Sequence, residues 1–252
     1  MKVEVHILTW NEEALIKYAV RHYRTFADKI MVHDARSTDR TREFAQWGGA
    51  EVVDWDTGNQ FDDEMAMKLK NDCWRGTDAD WVICADADEF IYFPQGAEAA
   101  LASYSRTGAA VIKPHGWEMI SDTYPTTGGQ IYDEVKFGAR DDKWYAKPLL
   151  FNPRIVAESG FGIGAHESDP VLKNGMKLRV GANFPRAVPP CYLLHFHQIG
   201  PVERTAALYD ERRQRLCATN VRNRWGNIDD TGIVHAKMKR DYIRARLEQV
   251  IA

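Results

Sequence analysis

The sequence predicts an α/β protein with a mostly parallel central sheet and helices on both faces of that sheet. In the first half, short β-rich runs alternate with segments whose apolar residues have helical spacing, and this alternation is typical of parallel βαβ units. In the second half the regularity weakens, which indicates a small antiparallel part followed by C-terminal helices. The 44% of hydrophobic residues is sufficient for a substantial core.

Four strands and the helices between them are predicted in the first part of the chain. The first strand, Val3–Thr9, ends before Asn11, and the segment EEALIKYAVRHYRTF that follows has helical spacing. A second helix, TREFAQW, comes after a Ser-Thr-Asp sequence that favours a helix start. The remaining predicted elements are a helix near Asp63–Trp74 and the strands Lys29–His33, Glu51–Trp55 and Trp81–Ala85.

The second half contains fewer regular patterns. Ala109–Lys113 and Tyr192–His197 have the composition of strands, and Gly116–Arg154 suits loops and antiparallel edge strands. No internal repeat and no linker interrupts the chain, so a single domain over residues 1–252 is expected. Two helices are predicted to follow the last strand, at about Val202–Leu216 and Met238–Val250.

Charge and cysteine content exclude several classes of protein. The 33 basic and 36 acidic residues leave a net charge of −3, which argues against a general nucleic-acid or membrane-surface binder. The N-terminal segment lacks the apolar core of a signal peptide, and no stretch approaches the roughly 20 apolar residues of a membrane span. The cysteines form no C-x-x-C pair, so neither a disulfide scaffold nor a zinc ribbon is expected, and a reducing cytoplasm suits them. They are Cys73, Cys84, Cys191 and Cys217.

An acidic segment directly follows the fourth predicted strand. In DWVICADADEF, Asp86, Asp88 and Glu89 come where the strand ends, and ligands of open α/β sheets bind beyond such ends. Residues 54–89 contain 11 acidic and 3 basic residues, a net charge of −8 in an otherwise positive chain. Two carboxylates and substrate phosphates commonly hold Mg²⁺ or Mn²⁺. The segment therefore predicts a divalent cation site, the alternative being an acidic, solvated turn.

Four segments follow one another along the chain: ILTWNEEALI, VHDARSTDRT, the pair Lys70-Asn71 fifteen residues before Asp86, and the D-x-D motif in DWVICADADEF. In this order they resemble the family 2 glycosyltransferases of the type A fold, which use nucleotide sugars. The Asp-Ala-Asp-Glu form resembles a soluble, non-processive bacterial branch. The resemblance covers about residues 3–93 and extends more loosely to about residue 200. It implies a Rossmann-like glycosyltransferase domain in which residues 1–105 bind the nucleotide sugar, 106–200 bind the acceptor and 201–252 form a helical appendage.

The resemblance assigns several residues to the nucleotide-sugar donor. In such enzymes the ends of the first two strands hold the base and the ribose. Only Asp34 remains of the family's usual Asp-Asp pair on the second strand, so uridine is only the default base. Glu12 is also suited to a helix start, where its charge complements the helix dipole. The residues implied to bind the donor are Thr9, Asn11, Glu12, Asp34, Lys70, Asn71 and Asp86.

The cation implied by the resemblance is Mn²⁺ or Mg²⁺. Asp88 is the expected direct ligand, and Asp86 is expected to contact the ribose or, through water, the ion. Glu89 is expected to cap the following turn or to face solvent. Family members often supply a later histidine, for which His195 is favoured and His197 is the alternative. A His-x-His pair binds metal ions but also occurs in ordinary packing.

An inverting transferase of this family also needs a carboxylate that takes the proton of the acceptor hydroxyl. In GFGIGAHESDP, Glu167 is the candidate base, and Asp169 and Glu158 are the alternatives. The segment KPLLFNPR resembles a family stretch that lies between the D-x-D motif and the base. Its cationic residues Lys147 and Arg154 are therefore expected to contact the diphosphate or the acceptor, with solvation as the alternative.

These features predict metal-dependent, inverting transfer of one sugar from a nucleotide-diphosphate sugar, UDP by default. The expected acceptor is a glycan or a lipid-linked saccharide in cell-envelope polysaccharide synthesis. The chain lacks the Gln-x-x-Arg-Trp motif of processive synthases, so addition of a single sugar is expected. The expected location is the cytoplasm, or the inner face of the membrane, since residues 200–252 carry a net charge of +4.

Two other functions are compatible with the fold class. A nucleotidyltransferase that forms a sugar nucleotide needs a glycine-rich phosphate loop after the first strand. The corresponding segment, TWNEEALIKY, contains no glycine and has two glutamates that would repel a triphosphate. The second alternative is a non-catalytic carbohydrate-binding module, which would bind neither nucleotide nor metal.

Overall fold

A computed structural model describes residues 1–226 and 231–251 of the chain. Two short 3₁₀ helices, Ile131–Asp133 and Ile163–Ala165, lie in the second half. The strands are β1 (Val3–Thr9), β2 (Lys29–Asp34), β3 (Glu51–Asp54), β4 (Trp81–Asp86), β5 (Glu89–Tyr92), β6 (Val111–Ile112), β7 (His115–Ser121), β8 (Phe137–Arg140), β9 (Leu150–Phe151), β10 (Val156–Glu158), β11 (Val171–Leu172), β12 (Tyr192–Ile199) and β13 (Glu248–Gln249). The helices are α1 (Ile16–Tyr23), α2 (Thr41–Trp47), α3 (Asp63–Asp72), α4 (Ala97–Arg106), α5 (Val202–Gln214), α6 (Ala218–Asn223) and α7 (Gly232–Arg244).

The first sheet has six strands in the order β3-β2-β1-β4-β9-β6. Strands β3, β2, β1 and β4 are parallel to one another, and β9 runs antiparallel to both β4 and β6. Every residue of β1 is buried, as expected for a central strand of a parallel sheet that is covered on both faces. The prediction of an α/β protein with a mostly parallel central sheet is confirmed.

The second sheet has five strands in the order β13-β8-β7-β12-β5. Strand β12 is parallel to β7 and antiparallel to β5. Strand β5 begins only three residues after β4 ends, so the acidic segment connects the two sheets. Buried residues of both sheets, among them Ile7, Ile83, Phe90 and Leu194, belong to one hydrophobic core.

Two parts of the second half differ from the sequence prediction. Gly116–Arg154 was expected to supply loops and edge strands, but β7 lies inside the second sheet and pairs on both sides. The expected helix Met238–Val250 is wrong at both ends, because α7 covers Gly232–Arg244 and β13 then pairs with β8. Helices α5 and α7 pack together through Tyr209 and Ala236. In the part of the chain that the structure describes, no helix is long and apolar enough to cross a membrane.

Candidate active site

The acidic segment and the two late histidines meet because of the strand pairing in the second sheet. Asp88 lies in the turn between β4 and β5, and β5 pairs with β12 so that Glu89 is opposite His195. The backbone N–H of Phe196 donates to the carbonyl oxygen of Asp88 over 2.8 Å, which fixes the turn against β12. This pairing places Asp88 beside His197, 109 residues further along the chain.

The side chain of Asp88 contacts both histidines. Its Oδ2 lies 3.1 Å from Nδ1 of His197 and 3.4 Å from Nε2 of His195. The three side chains are mostly buried, with exposed fractions between 13% and 17%. Ligand atoms about 2.1 Å from a shared cation and at right angles are about 3 Å apart, so this oxygen and either one of the two nitrogens have suitable spacing for one ion. The arrangement brings together the predicted ligand Asp88 and both of the histidines considered.

A second carboxylate lies behind His195. Glu118 of β7 is opposite His195 of β12, and both of its carboxylate oxygens are 3.0 Å from Nδ1 of His195. Because a carboxylate can only accept, Nδ1 of His195 carries a proton and Nε2 faces Asp88. The ring of Tyr145 stacks on His195 with the centroids 4.6 Å apart. Glu118 and Tyr145 therefore fix both the tautomer and the ring plane of the histidine.

The ionisation of these groups reflects their mutual contacts. Burial alone would raise the pKa of Asp88, but the charge of His195 and hydrogen bonds from both histidines hold that pKa well below its usual range. Burial would likewise lower the pKa of His195, but Glu118 and Asp88 raise it well above its ordinary value. For His197, burial is the larger effect and lowers the pKa. A cation that binds here would replace the proton that His195 shares with Asp88.

The donor set suits a divalent cation. His197 has a further buried nitrogen, Nε2, with no hydrogen-bond partner among the described residues. Such a buried polar atom calls for an explanation, and a ligand or water is a common one. One carboxylate and two imidazoles form a mixed oxygen and nitrogen set that binds Mn²⁺ and related ions.

Beside the histidines, two buried ion pairs hold the acidic segment. Lys70 Nζ is 2.8 Å from Asp86 Oδ1, and Lys147 Nζ is 2.6 Å from Glu89 Oε1. Glu89 is fully buried and accepts the backbone N–H of Asp86, so the expectation that it faces solvent is wrong. The ammonium group of Lys147 is buried against Glu89, so the predicted contact of Lys147 with the diphosphate or the acceptor would have to replace this ion pair. Asp86 remains 41% exposed and accessible.

Several residues expected to bind the donor are used by the chain itself. The amide of Asn71 accepts bonds from Ser159 Oγ and from the backbone N–H of Phe161, each over 2.8 Å, so it ties α3 to the loop before the second 3₁₀ helix. Asp34 is fully buried and accepts bonds from Ser37 and Arg42. These contacts give both side chains a structural role, and a base or ribose would have to replace one of these bonds.

The end of β1 is held by the turn after β2. Asn11 has a φ of 49°, a conformation that asparagine tolerates, and its side chain accepts the backbone N–H of Thr38. Thr9 is buried, and its hydroxyl has no hydrogen-bond partner among the residues described. Its backbone carbonyl accepts the N–H of Ala35. Of the two side chains, only that of Thr9 keeps an unused polar atom.

Glu12 connects the end of β1 to the site through an arginine. Its Oε2 is 2.7 Å from Nη2 of Arg204, whose Nη1 donates to the carbonyl oxygen of His197. Burial raises the pKa of Glu12 to about 7, Arg204 opposes this rise, and the charge of Asp88 adds to it. The last effect shows that Glu12 and Asp88 are within electrostatic range of each other.

Two of the three candidate bases lie in the turn that follows the second 3₁₀ helix. Glu167 and Asp169 both form ion pairs with Arg179, and their side chains are 50% and 58% exposed. Glu158, the last residue of β10, is exposed. His166 precedes Glu167, and Lys147 and Glu89 both influence its pKa, which burial lowers to about 4. His166 therefore places this turn within electrostatic range of the acidic segment.

Arg154 lies at the other end of the first sheet. Its Nε is 2.7 Å from Oδ1 of Asp80, which directly precedes β4, whereas Asp86 is the last residue of that strand. A strand of this length separates its ends by roughly 16 Å. Arg154 therefore lies at the opposite end of β4 from Asp86, and its contact with the diphosphate or the acceptor stays a prediction.

Three residues of the site were not identified from the sequence. Glu118 and Tyr145 both contact His195, and Arg204 contacts Glu12. A signal existed for Glu118, because it is a charged residue within the otherwise apolar run GWEMI. Buried charges are almost always paired, so such a residue inside a strand indicates a partner.

Neither a protein-family model nor a curated protein matches the chain. Similar solved structures include glucosyl-3-phosphoglycerate synthase from Mycobacterium tuberculosis in complex with Mn²⁺, UDP and glucosyl-3-phosphoglycerate. The sequence identity is 24% and the TM-score is 0.32, and the similarity covers 46% of this chain and 44% of that one. Mannosyl-3-phosphoglycerate synthase from Rubrobacter xylanophilus is similar at 20% identity and a TM-score of 0.35, over 50% and 44%. S. aureus TarS in complex with UDP is similar at 15% identity and a TM-score of 0.37, over 60% and 47%. In each case the chain spans less than half of the solved structure.

Proposed function

We propose that this protein is a glycosyltransferase that moves one sugar from a nucleoside-diphosphate sugar to an acceptor hydroxyl, with Mn²⁺ or Mg²⁺ as cofactor. The observation that carries the proposal is the contact of Asp88 Oδ2 with His197 Nδ1 at 3.1 Å and with His195 Nε2 at 3.4 Å. Asp88 with one of the two histidines, His195 first and His197 otherwise, would hold the cation, at the carboxyl end of a strand where α/β proteins bind ligands. When bound, the ion would stabilise the negative charge that develops on the departing diphosphate.

The chain's own residues divide the remaining work. Asp86, which is partly exposed and held by Lys70, would contact the ribose or a water on the cation. Glu12 and the backbone around Thr9 would contact the nucleotide, with uridine as the default base. One carboxylate would accept the proton of the attacking hydroxyl. Glu167, in the turn after the second 3₁₀ helix, is the first candidate, and Asp169 or Glu158 is the alternative. Attack from the side opposite the leaving group inverts the anomeric centre.

The proposed acceptor is a glycan or a lipid-linked saccharide of the cell envelope, and the proposed location is the cytoplasm or the inner face of its membrane. Support for an anionic or membrane-bound acceptor comes from the net charge of +4 in residues 200–252. Two of the basic side chains in this segment contact the protein itself, since Arg212 lies over the ring of Phe61 and Arg215 over the ring of Trp10. The contribution of this segment to acceptor binding is therefore smaller than its composition indicates.

The cation and donor site is tested by calorimetric titration of nucleoside diphosphates with and without Mn²⁺. We expect one diphosphate to bind much more tightly with Mn²⁺, and Asp88→Asn to abolish that gain. Asp72→Asn is the matched control, because Asp72 is half-exposed and pairs only with Arg75 on the surface. A gain from Mn²⁺ that persists in Asp88→Asn would overturn the proposed site. No nucleotide binding at all would favour a carbohydrate-binding module.

The base is tested by separating donor binding from transfer. We expect Glu167→Gln to leave nucleotide binding unchanged and to reduce transfer by about 10²-fold or more, because general base catalysis contributes about that much. Asp169→Asn shares the contact with Arg179 and is therefore the matched comparison. An unchanged rate in Glu167→Gln would assign the role to Asp169 or Glu158.

A further inference from the structure

A second cluster of metal-binding side chains lies outside the candidate active site. It consists of His6 in β1, His33 in β2, Cys84 in β4 and Cys73, which directly follows α3. His6 and Cys84 are fully buried and His33 is 6% exposed. His6 and Cys84 are opposite each other in the pairing of β1 with β4, so their side chains project from the same face of the sheet.

The ligand atoms of His6, His33 and Cys73 are spaced for one cation, and Cys84 lies beside Cys73. Nδ1 of His6 is 3.0 Å from Nε2 of His33, and one ligand atom each of His6, His33 and Cys73 lie within 4.8 Å of one another. Sγ of Cys73 is 3.8 Å from Sγ of Cys84. Zn–N bonds of about 2.0 Å at tetrahedral angles give an edge of about 3.3 Å between nitrogens. A disulfide would need about 2.05 Å, and all four cysteines of the chain are free thiols.

A carboxylate orients one of the imidazoles. Oε1 of Glu4 is 2.9 Å from Nε2 of His6, and the hydroxyl of Thr77 donates to Oε2 of the same carboxylate over 2.9 Å. Nε2 of His6 is therefore the protonated nitrogen, and Nδ1 is left for the cluster. Histidines that bind metals almost always donate their other N–H to such a partner, which fixes the ring and raises its basicity.

We propose that His6, His33 and Cys73 bind a zinc-class divalent cation in a buried site, with the thiol of Cys84 beside the Cys73 ligand. The cation would tie the end of α3 to β1 and β2, two of the parallel strands of the first sheet. The site is independent of the proposed transferase function.

The experiment uses the full chain, purified without chelator for metal analysis and then stripped and titrated with Co²⁺. We expect one zinc-class ion per chain as purified, and a Co²⁺ complex with a thiolate charge-transfer absorption band that Zn²⁺ abolishes. We also expect Zn²⁺ to raise the thermal unfolding midpoint of the stripped chain, because an ion that binds only the folded state stabilises it. A wild-type chain whose Co²⁺ complex shows no thiolate band would overturn the proposal, whatever the behaviour of any variant.

Variants then assign the ligands. We expect Cys73→Ala to lose the band and Cys84→Ala to keep it, because only Cys73 supplies a thiolate ligand. Cys191→Ala should keep the full band, since Cys191 is an equally buried thiol outside the cluster. Asp88→Asn should also keep it, which separates this site from the candidate active site. A band that survives in Cys73→Ala, or one that is lost in a folded Cys84→Ala, would contradict the assigned ligand set. Circular dichroism of each stripped variant confirms that it is folded.

Discussion

Glu118 holds His195 by Nδ1, with both carboxylate oxygens 3.0 Å from that nitrogen, and thereby turns Nε2 of the histidine toward Asp88. In Glu118→Gln the amide oxygen still accepts the N–H, but the negative charge that makes the imidazole basic is lost. We expect the affinity for Mn²⁺ to fall about 10- to 100-fold, as is typical when the partner of a metal-binding histidine is changed. Calorimetric titration with Mn²⁺ measures this, and Glu98→Gln, on an exposed position of α4, is the control. Equal affinities in the two variants would contradict a positioning role for Glu118.

Gly116 allows the segment that carries Tyr145 to approach β7. A Cβ at this position would lie 2.5 Å from the backbone nitrogen of Ala146 and 2.8 Å from the carbonyl oxygen of Asp141. We therefore expect Gly116→Ala to lower the free energy of unfolding by about 1–3 kcal/mol, the usual cost of overpacking. It should also weaken Mn²⁺ binding, because Tyr145 stacks on His195.

The control for Gly116→Ala is Gly128→Ala. A Cβ on Gly128 would meet no atom within 4 Å, so this variant should have nearly wild-type stability and metal affinity. Urea unfolding compares the two. If both variants unfold at the same urea concentration as the wild type, the close approach at Gly116 is not tight in solution.

The buried pair of Lys147 and Glu89 stabilises the acidic segment. Burial would raise the pKa of Glu89, but Lys147 and Lys70 lower it to about 2, so this carboxylate is charged without contact to water. Lys147→Met leaves that charge unpaired, and we expect it to cost about 3 kcal/mol or more in the free energy of unfolding. The double variant Lys147→Met/Glu89→Gln should recover much of the lost stability, because neither charge of this ion pair remains. Lys173→Met, at an exposed position, is the control in the same urea unfolding series. A single variant as stable as its control would show that Glu89 is neutral or hydrated.

The sequence predicted the first sheet well because its strands are continuous apolar runs between clear turn signals. The four parallel strands β1 to β4 lie within one or two residues of their expected bounds. Strand β7 was assigned to loops and edge strands because its region contains several glycines and aromatic residues, and the partner of the buried charge of Glu118 is 77 positions away. Local patterns do not contain such pairings, so a central strand with a buried charge resembles a surface segment.

The site was predictable to a similar extent. Asp88 and the two histidines were singled out because each occurs in a short motif with recognisable metal chemistry. Asn71 and Asp34 occur in equally recognisable motifs, yet their polar atoms are occupied by Phe161 and Arg42. A motif identifies a residue type at a position, whereas its free hydrogen-bonding capacity depends on distant neighbours. The cysteine and histidine cluster was missed for the same reason, since its members come from three strands and the end of a helix.

His22 makes the stability of the fold depend on pH. It is 2% exposed, its Nε2 donates to the carbonyl oxygen of Ile91 over 2.9 Å, and its Nδ1 is 3.2 Å from the hydroxyl of Tyr132. Because a carbonyl can only accept, Nε2 carries the proton and Nδ1 accepts from the tyrosine, which makes the buried imidazole neutral. Burial lowers the pKa of His22 from 6.5 to about 4.

A histidine with a lowered pKa in the folded state destabilises the fold as the pH falls. Between pH 6.5 and about pH 4 the unfolded chain binds a proton at His22 and the folded chain does not. The contribution of His22 is therefore fully present above this window and is lost through it, by up to about 1.4 kcal/mol per pH unit and about 3 kcal/mol in total. His22→Gln keeps a donor for Ile91 but does not titrate, so its free energy of unfolding should fall less steeply over this window. Urea unfolding of both proteins at a series of pH values measures the difference, which cancels the contributions of all other groups. Parallel profiles would mean that the imidazole titrates equally in the folded and unfolded chains, and hence that His22 is not a buried neutral side chain.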